Sequence, residues 1–159
     1  MAFPQAKILS IEPDINNCDF ARINIDGRNV DILNSAIGSQ AGKCNIVDAS
    51  VDSNSFQVKV TDPDSESVVE CIDILTVNGL LDTYKASHLP LIIKIDIEGF
   101  EANLFEKNTE WISRFTLVIV ELHDWMLPKQ ANFSNFLKEI SKENRDFLFF
   151  NENVFSVKN

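Results

Sequence analysis

Apolar and polar positions alternate with two different periods along this chain, and the switches between them predict its elements. Residues 7–11 (Lys-Ile-Leu-Ser-Ile) form a short apolar run that Glu12-Pro13 closes, because proline cannot continue a central strand. Asp14 then reads as a helix N-cap, with a helix over 15–24. Asp26-Gly27 is a turn signal, and residues 29–35 alternate as a half-buried strand would until Ala36-Ile37-Gly38-Ser39 breaks them. The polar stretch 40–67 holds two β-like pieces, 44–47 and 56–60, and reads as a hairpin excursion with its tip near residues 62–65. A strand over 68–72 and a short helix over 76–86, carrying Leu80, Leu81 and Tyr84, follow.

The clearest run is 91–97, Leu-Ile-Ile-Lys-Ile-Asp-Ile. A near-continuous β-branched stretch suits a strand buried on both faces, which belongs mainly to parallel sheets. Glu98-Gly99 ends it, a helix over 100–107 and a shorter one over 109–114 follow, and 116–122 is a second buried strand. Phe133, Phe136, Leu137 and Ile140 recur at helical spacing, predicting an amphipathic helix over 131–143. Residues 147–150 and 154–157, separated by Asn151-Glu152-Asn153, predict a closing antiparallel hairpin. Strands alternating with helices place the chain in the α/β class, with a mostly parallel sheet plus this C-terminal hairpin. There is no internal repeat, so the 159 residues read as a single domain.

Composition and charge narrow the chemistry. Twelve phenylalanines against one tyrosine and two tryptophans predict an aromatic-rich interior. A net charge of -10 repels phosphate backbones, which argues against nucleic acid as a partner. It does not repel sugars or cationic cofactors. The three cysteines, Cys18, Cys44 and Cys71, form no C-x-x-C pair; an odd set without metal spacing predicts idle thiols. No apolar run approaches the roughly 20 residues that span a bilayer, and the N-terminus lacks the pattern of a secretory leader, so the expected location is cytoplasmic.

Ligands of open parallel sheets sit beyond the carboxyl ends of the strands. Those ends carry Glu12 and Asp14; Ser35 and Ala36; Asp96, Glu98 and Gly99; and Glu121, His123 and Asp124. Glu12 suits the hydroxyls of a ribose, since a carboxylate accepts from both; its other reading is a solvated acid before a proline turn. Asp96 is either a ligand contact or a helix cap. Gly99 permits a positive φ or a close approach. Glu101 reads either as a substrate contact or as a first-turn acid favoured by the helix dipole. His123 has the side chain most often used as a general base near neutral pH. Glu121 and Asp124 are its candidate orienting groups. His88, in a Ser-His-Leu-Pro connector, reads as structural, and Trp125 as a pocket wall or a packing residue.

These residues carry a resemblance. Ile92-Ile93-Lys94-Ile95-Asp96-Ile97-Glu98-Gly99-Phe100-Glu101 resembles the Lys-Ile-Asp-x-Glu-Gly-x-Glu motif of FkbM-type methyltransferases. Ile8 to Asp14 with Asn16-Asn17 resembles their second-strand motif, Val120-Glu121-Leu122-His123 their next strand end, and, loosely, Cys71 to Leu75 their Thr-Leu-Asp lead-in. The resemblance implies a Rossmann-like sheet and transfer of a methyl group from S-adenosylmethionine to a hydroxyl of a sugar, glycan or secondary metabolite. It implies that Glu12, with Asp14 beside it, holds the cofactor's ribose and that Ser35, Ala36 and Ile37 border its adenine. Asp96 would then stand near the methionine end or the acceptor. Glu121 and His123 would face the acceptor, with Glu98, Glu101 and Trp125 as further substrate contacts. Asp96 and Glu121 are hard oxygen ligands, but two carboxylates on separate strands do not define a metal site, and none is assigned.

The family's fold begins with a strand and a Gly-rich loop. None of the five glycines here forms G-x-G, so the first strand and helix are expected to be absent and the domain partial. Low turnover by the chain alone is the corresponding expectation. An open sheet edge would then be left, able to accept a partner strand or a second copy. That makes a non-catalytic ligand- or protein-binding module the competing reading. A nicotinamide dehydrogenase is disfavoured, since its glycine fingerprint is missing and no Tyr/Lys pair stands out.

Overall fold

The computed structural model describes residues 5–25, 29–47, 57–59, 68–124 and 128–159. Backbone contacts divide the chain into two compact units, the first of residues 1–37 and 41–75, the second of 38–40 and 76–159. The turn at Asp26-Gly27, the hairpin tip near 62–65 and Trp125 lie outside the described residues.

In the first unit, β1 (Ile8–Glu12) leads into α1 (Ile15–Asn24) and returns as β2 (Val30–Asn34), which pairs with β1 in parallel, Ile8 opposite Val30 through Glu12 opposite Asn34. Asp14 is the N-cap of α1: its Oδ1 accepts from the backbone N–H of Asn16 at 2.7 Å and of Asn17 at 2.9 Å. This satisfies two of the donors that the start of a helix leaves unpaired. After Ser35 the chain changes sheet. The two-residue β3 (Ala36–Ile37) pairs in parallel with β6 (Val68–Leu75), which also pairs antiparallel with β4 (Gly42–Val47), and β4 with β5 (Gln57–Lys59). The hairpin excursion therefore forms. Along β6, Ile72 and Ile74 are buried while Cys71 and Asp73 are exposed; the buried pair packs with Ala36 and Cys44. Burial pushes the Cys44 thiol up to about 11, in keeping with an idle thiol.

The second unit opens with α2 (Val77–Tyr84), capped by Thr76, whose Oγ1 accepts from the Gly79 N–H. Next come β7 (Ile92–Ile95), α3 (Glu101–Leu104), a 3-10 turn over Glu110–Arg114, β8 (Leu117–Glu121), α4 (Ser134–Ile140), β9 (Arg145–Phe150) and β10 (Asn153–Lys158). The sheet order is β7-β8-β10-β9, with β7 and β8 parallel and the other two ladders antiparallel. Asn151, at φ 52, makes the tight turn of the closing hairpin. Phe105, Trp111, Phe115, Phe133 and Phe136 form the aromatic core, with Phe133 and Phe136 ring centroids 4.3 Å apart. Arg145 is buried against the same end, its guanidinium donating to Ser156 and to the carbonyls of Phe115 and Thr116.

The chain is thus mixed α/β, but the expectation of one mostly parallel sheet is corrected. The described strands form three sheets, and four of their seven ladders are antiparallel, because two hairpins are built onto the parallel pairs. β7 also differs from the predicted strand buried on both faces. It is four residues long, has only β8 beside it among the described residues, and leaves Ile92 50% exposed. Leu137, predicted on the buried stripe of α4, is 56% exposed, while Phe133, Phe136 and Ile140 are buried. The interior is aromatic, yet Phe20, Phe147, Phe149 and Phe150 are exposed, the last three on edge strand β9.

Candidate functional site

Two sets of predicted site residues have a described geometry, one in each unit. In the first, Glu12 ends β1, and the backbone turns at Pro13 so that the Asp14 N–H points back to Glu12 Oε1 at 2.9 Å. Asn17 Nδ2 donates to the same oxygen at 3.4 Å, and Glu12 Oε2 has no hydrogen-bond partner among the described residues. Asn34 Nδ2, at the end of the paired strand, donates to the carbonyls of Pro13 at 2.7 Å and Glu12 at 3.3 Å. A carboxylate anchored through one oxygen with the other free fits a hydroxyl-bearing ligand. Asp14 is 7% exposed and engaged in its cap, which leaves it little to offer a ligand. Ser35 Oγ donates to the Asn34 carbonyl, and Ala36 sits in the β-sheet core. Only Ile37 of that trio is part-exposed.

The second set converges on His123. β7 ends at Ile95, and the chain then reverses through Glu98, at φ 51, and Gly99, at φ 96, before α3 begins at Glu101. Consecutive left-handed residues are unusual, and a glutamate in that region is strained by roughly 1 kcal/mol or more. The turn brings three acids from one short segment around a histidine that follows β8. His123 is 4% exposed, and its Nδ1 lies 2.6 Å from Glu101 Oε1. Its Nε2 lies 3.7 Å from Asp96 Oδ1 and 3.9 Å from Glu98 Oε2, ion-pair distances longer than a hydrogen bond. Glu101 is 1% exposed, and its second oxygen accepts from Asn132 Nδ2 at 2.8 Å. Asn132 in turn accepts the Ala102 N–H at 3.3 Å, and Asn135 Nδ2 donates to the Ala102 carbonyl at 2.8 Å.

Charge is organised around this ring. The Glu101 hydrogen bond raises the His123 pKa above the usual imidazole value, against the opposing effect of burial, and the charges of Glu101, Glu98 and Asp96 add to the rise. Burial works to raise Glu101, but the bonds from His123, its own backbone and Asn132 outweigh it and leave the carboxyl below its ordinary value. Glu121 is pushed up by burial and then by Asp96. Lys94 donates to Asp96 Oδ2 at 2.6 Å and lies 3.5 Å from Glu121 Oε2; its bond to Asp96 raises its pKa.

The second unit thus brings Asp96, Glu98, Glu121 and His123 into one neighbourhood, but two expected roles change. Glu121 and Asp124 do not orient the ring: Glu101 does, while Asp124 accepts the Phe133 N–H at 3.0 Å. Glu101 is not at a surface where a substrate could touch it, since both its oxygens are engaged in the interior. Asn132 is not among the site residues read from the sequence; it stands 31 residues from its partner in a polar loop. Asp96, Glu98 and His123 each present a ligand atom within 4.8 Å of the others, a set that could hold a metal ion. Of the two carboxylates weighed from sequence, Asp96 is in that set and Glu121 is not, and Asp96 and Glu98 carry exposed side chains of the kind common without an ion.

A family model described as Methyltransferase FkbM domain matches residues 2–149, which includes both sets of residues. Comparison with the curated proteins and with the solved structures gives no match.

Proposed function

The chain belongs to the FkbM methyltransferase family, and we propose from that premise that it is an S-adenosylmethionine-dependent O-methyltransferase with a Rossmann-like arrangement, acting on a hydroxyl of a sugar, glycan or secondary metabolite. The family match runs through both units, which supports reading them as one domain. S-adenosylmethionine, when bound, supplies an already activated methyl group on a cationic sulfonium, which an acidic chain favours. In the first unit Glu12 is the group that would hold the ribose. Its free oxygen, on a carboxylate fixed by the Asp14 N–H, supports that role. Ile37 would border the adenine.

His123 carries the reading. Its Nε2 has no hydrogen-bond partner among the described residues, and it faces the Asp96 and Glu98 carboxylates. An acceptor hydroxyl placed there loses its proton to Nε2: the O–H bond breaks as an N–H bond forms. Asp96 and Glu98 stabilise the imidazolium that results. Alignment and proton removal are the chain's main contributions, because the methyl donor needs no further activation.

Calorimetric titration of the full chain with S-adenosylhomocysteine tests this. Binding is expected, with Glu12→Ala weakening it about tenfold or more, roughly the 1.4 kcal/mol of a lost charge-assisted bond. Labelled methyl transfer to a panel of sugar hydroxyls is then expected to fall in His123→Gln. The side of β7 that has no strand beside it among the described residues, with Ile92 half-exposed, favours a second reading: a protein-binding module that accepts a strand on that edge. Absence of any S-adenosylhomocysteine binding would select it.

A further inference from the structure

Glu101 and Asn132 are closed off from solvent beside His123, at 1% and 5% exposure. Their hydrogen bonds can be assigned atom by atom. The Ala102 backbone N–H can only donate, so the Asn132 atom facing it is the carbonyl oxygen. The Asn132 amide NH2 must then face Glu101 Oε2, which makes that oxygen an acceptor. An ionised Glu101 accepts at Oε1 as well, so the group facing it, His123 Nδ1, is the donor. A proton held instead on Oε1 would make Nδ1 the acceptor. It is disfavoured because Glu101 is held below its ordinary pKa and His123 above its own.

From this chain of donors and acceptors we propose that Glu101 and Asn132 are positioning residues that lock His123 in the tautomer with its proton on Nδ1, leaving the Nε2 lone pair as the proton acceptor towards Asp96 and Glu98. The assignment rests on the methyltransferase reading for its catalytic meaning, while the tautomer itself stands on geometry. Of the charged groups around the ring, Glu101 favours this tautomer, while Asp96 and Glu98 favour the imidazolium that forms when Nε2 takes a proton. Glu101 stands behind Nδ1, and Asp96 and Glu98 stand ahead of Nε2. Lys94 pairs with Asp96 and Glu121 and tempers the negative charge there. A lone pair facing two carboxylates is ready to take a proton and slow to release it. It therefore acts as a base on the alkaline side of its own raised titration, where the ring is neutral.

Replacing Glu101 by glutamine inverts the network. Asn132 still donates to the position of Oε2, so the new amide places its carbonyl there and its NH2 against Nδ1. The ring must then carry its proton on Nε2 and cannot act as a base. Nitrogen-15 NMR of the ring reads this directly, on the alkaline side of its titration and without substrate. The chain has only two histidines, and a His88→Gln variant assigns the signals.

The wild-type chain is expected to show protonated Nδ1 and bare Nε2, Glu101→Asp to keep that pattern, and Glu101→Gln to reverse it. Methyl transfer is expected to drop about 100- to 10,000-fold in kcat for Glu101→Gln, with KM little changed and the alkaline-favoured limb of the pH profile lost. Asn132→Ala is expected to lower kcat about tenfold and to move that limb to lower pH. A wild-type ring protonated on Nε2 would overturn the proposal even if the chain proved an active methyltransferase. Correct tautomers in a chain that binds no S-adenosylhomocysteine would instead overturn the functional reading and leave the locked ring standing. Should Glu101→Gln fail to fold, the wild-type spectrum and Glu101→Asp still decide.

Discussion

Glu12 and Glu101 are both strand-to-helix glutamates held by hydrogen bonds, and they are held in opposite ways. Glu12 takes its partners from residues two and five positions on, has one oxygen without a partner among the described residues and stays part-exposed. Glu101 takes its side-chain partners from residues 22 and 31 positions away and is closed off from solvent. The first is a local turn that presents a carboxylate. The second is a tertiary knot in which the carboxylate is the tie between α3, the end of β8 and the approach to α4. Burial makes the difference consequential: a carboxylate whose partners are removed in the interior has no water to replace them.

Removing each side chain measures that contrast. Glu101→Ala leaves His123 Nδ1 and Asn132 Nδ2 buried without acceptors, and a loss of about 3–5 kcal/mol in unfolding free energy is expected. Glu12→Ala removes bonds that water can replace, and its urea midpoint is expected to stay near the wild-type value. Similar midpoints for the two variants would erase the distinction between presented and tying glutamates.

The same comparison explains what the sequence revealed. The Asp14 cap, the Glu12 turn and the helical spacing of Phe133, Phe136 and Ile140 are relations among residues a few positions apart, where backbone geometry decides. The fold class and the closing hairpin followed for that reason. The Glu101–His123–Asn132 network depends on which elements meet, and one sequence does not encode that as a pattern. Apolar runs were ambiguous in the same way. Val118 and Val120 of β8 are fully buried, whereas Phe147 to Phe150 of β9 are 45% to 68% exposed, although both are continuous apolar runs. The difference is sheet position: β8 lies between β7 and β10, while β9 is the edge. Glu98 and Gly99 fall between these cases. The Glu-Gly pair marked a break, but only the backbone shows both residues left-handed.

Acidity offers a finer probe of the tying glutamate. The Glu101 carboxyl is held below its ordinary value, so its contribution is present above the unfolded pKa of about 4.3 and is lost as pH falls through the lower folded value. The His123 pKa is raised, so its contribution is complete below the unfolded value of about 6.5 and is lost as pH rises through the higher folded value. The pair therefore stabilises the chain most between about pH 4.3 and 6.5. Urea midpoints of wild type and Glu101→Gln, followed from pH 4 to 9 (about the range the two groups span), should differ most in that window and converge on its alkaline side. A difference that does not change with pH would show that the two residues do not share charge.

The smallest effect belongs to the most legible residue. Asp14 caps α1 through two backbone N–H groups, and its loss exposes donors that sit at a helix start where water has access. Asp14→Ala is expected to cost about 1 kcal/mol, and Asp14→Asn less, since asparagine caps as well as aspartate. S-adenosylhomocysteine affinity separates the cap from the ligand role once attached to Asp14. If the residue acts only as a cap, Asp14→Asn leaves the calorimetric Kd unchanged while Glu12→Ala raises it. A Kd that rises equally in both variants would mean that the turn presents two carboxylates to the ligand. Asp14 would then join Glu12 on the presenting side of the contrast with Glu101.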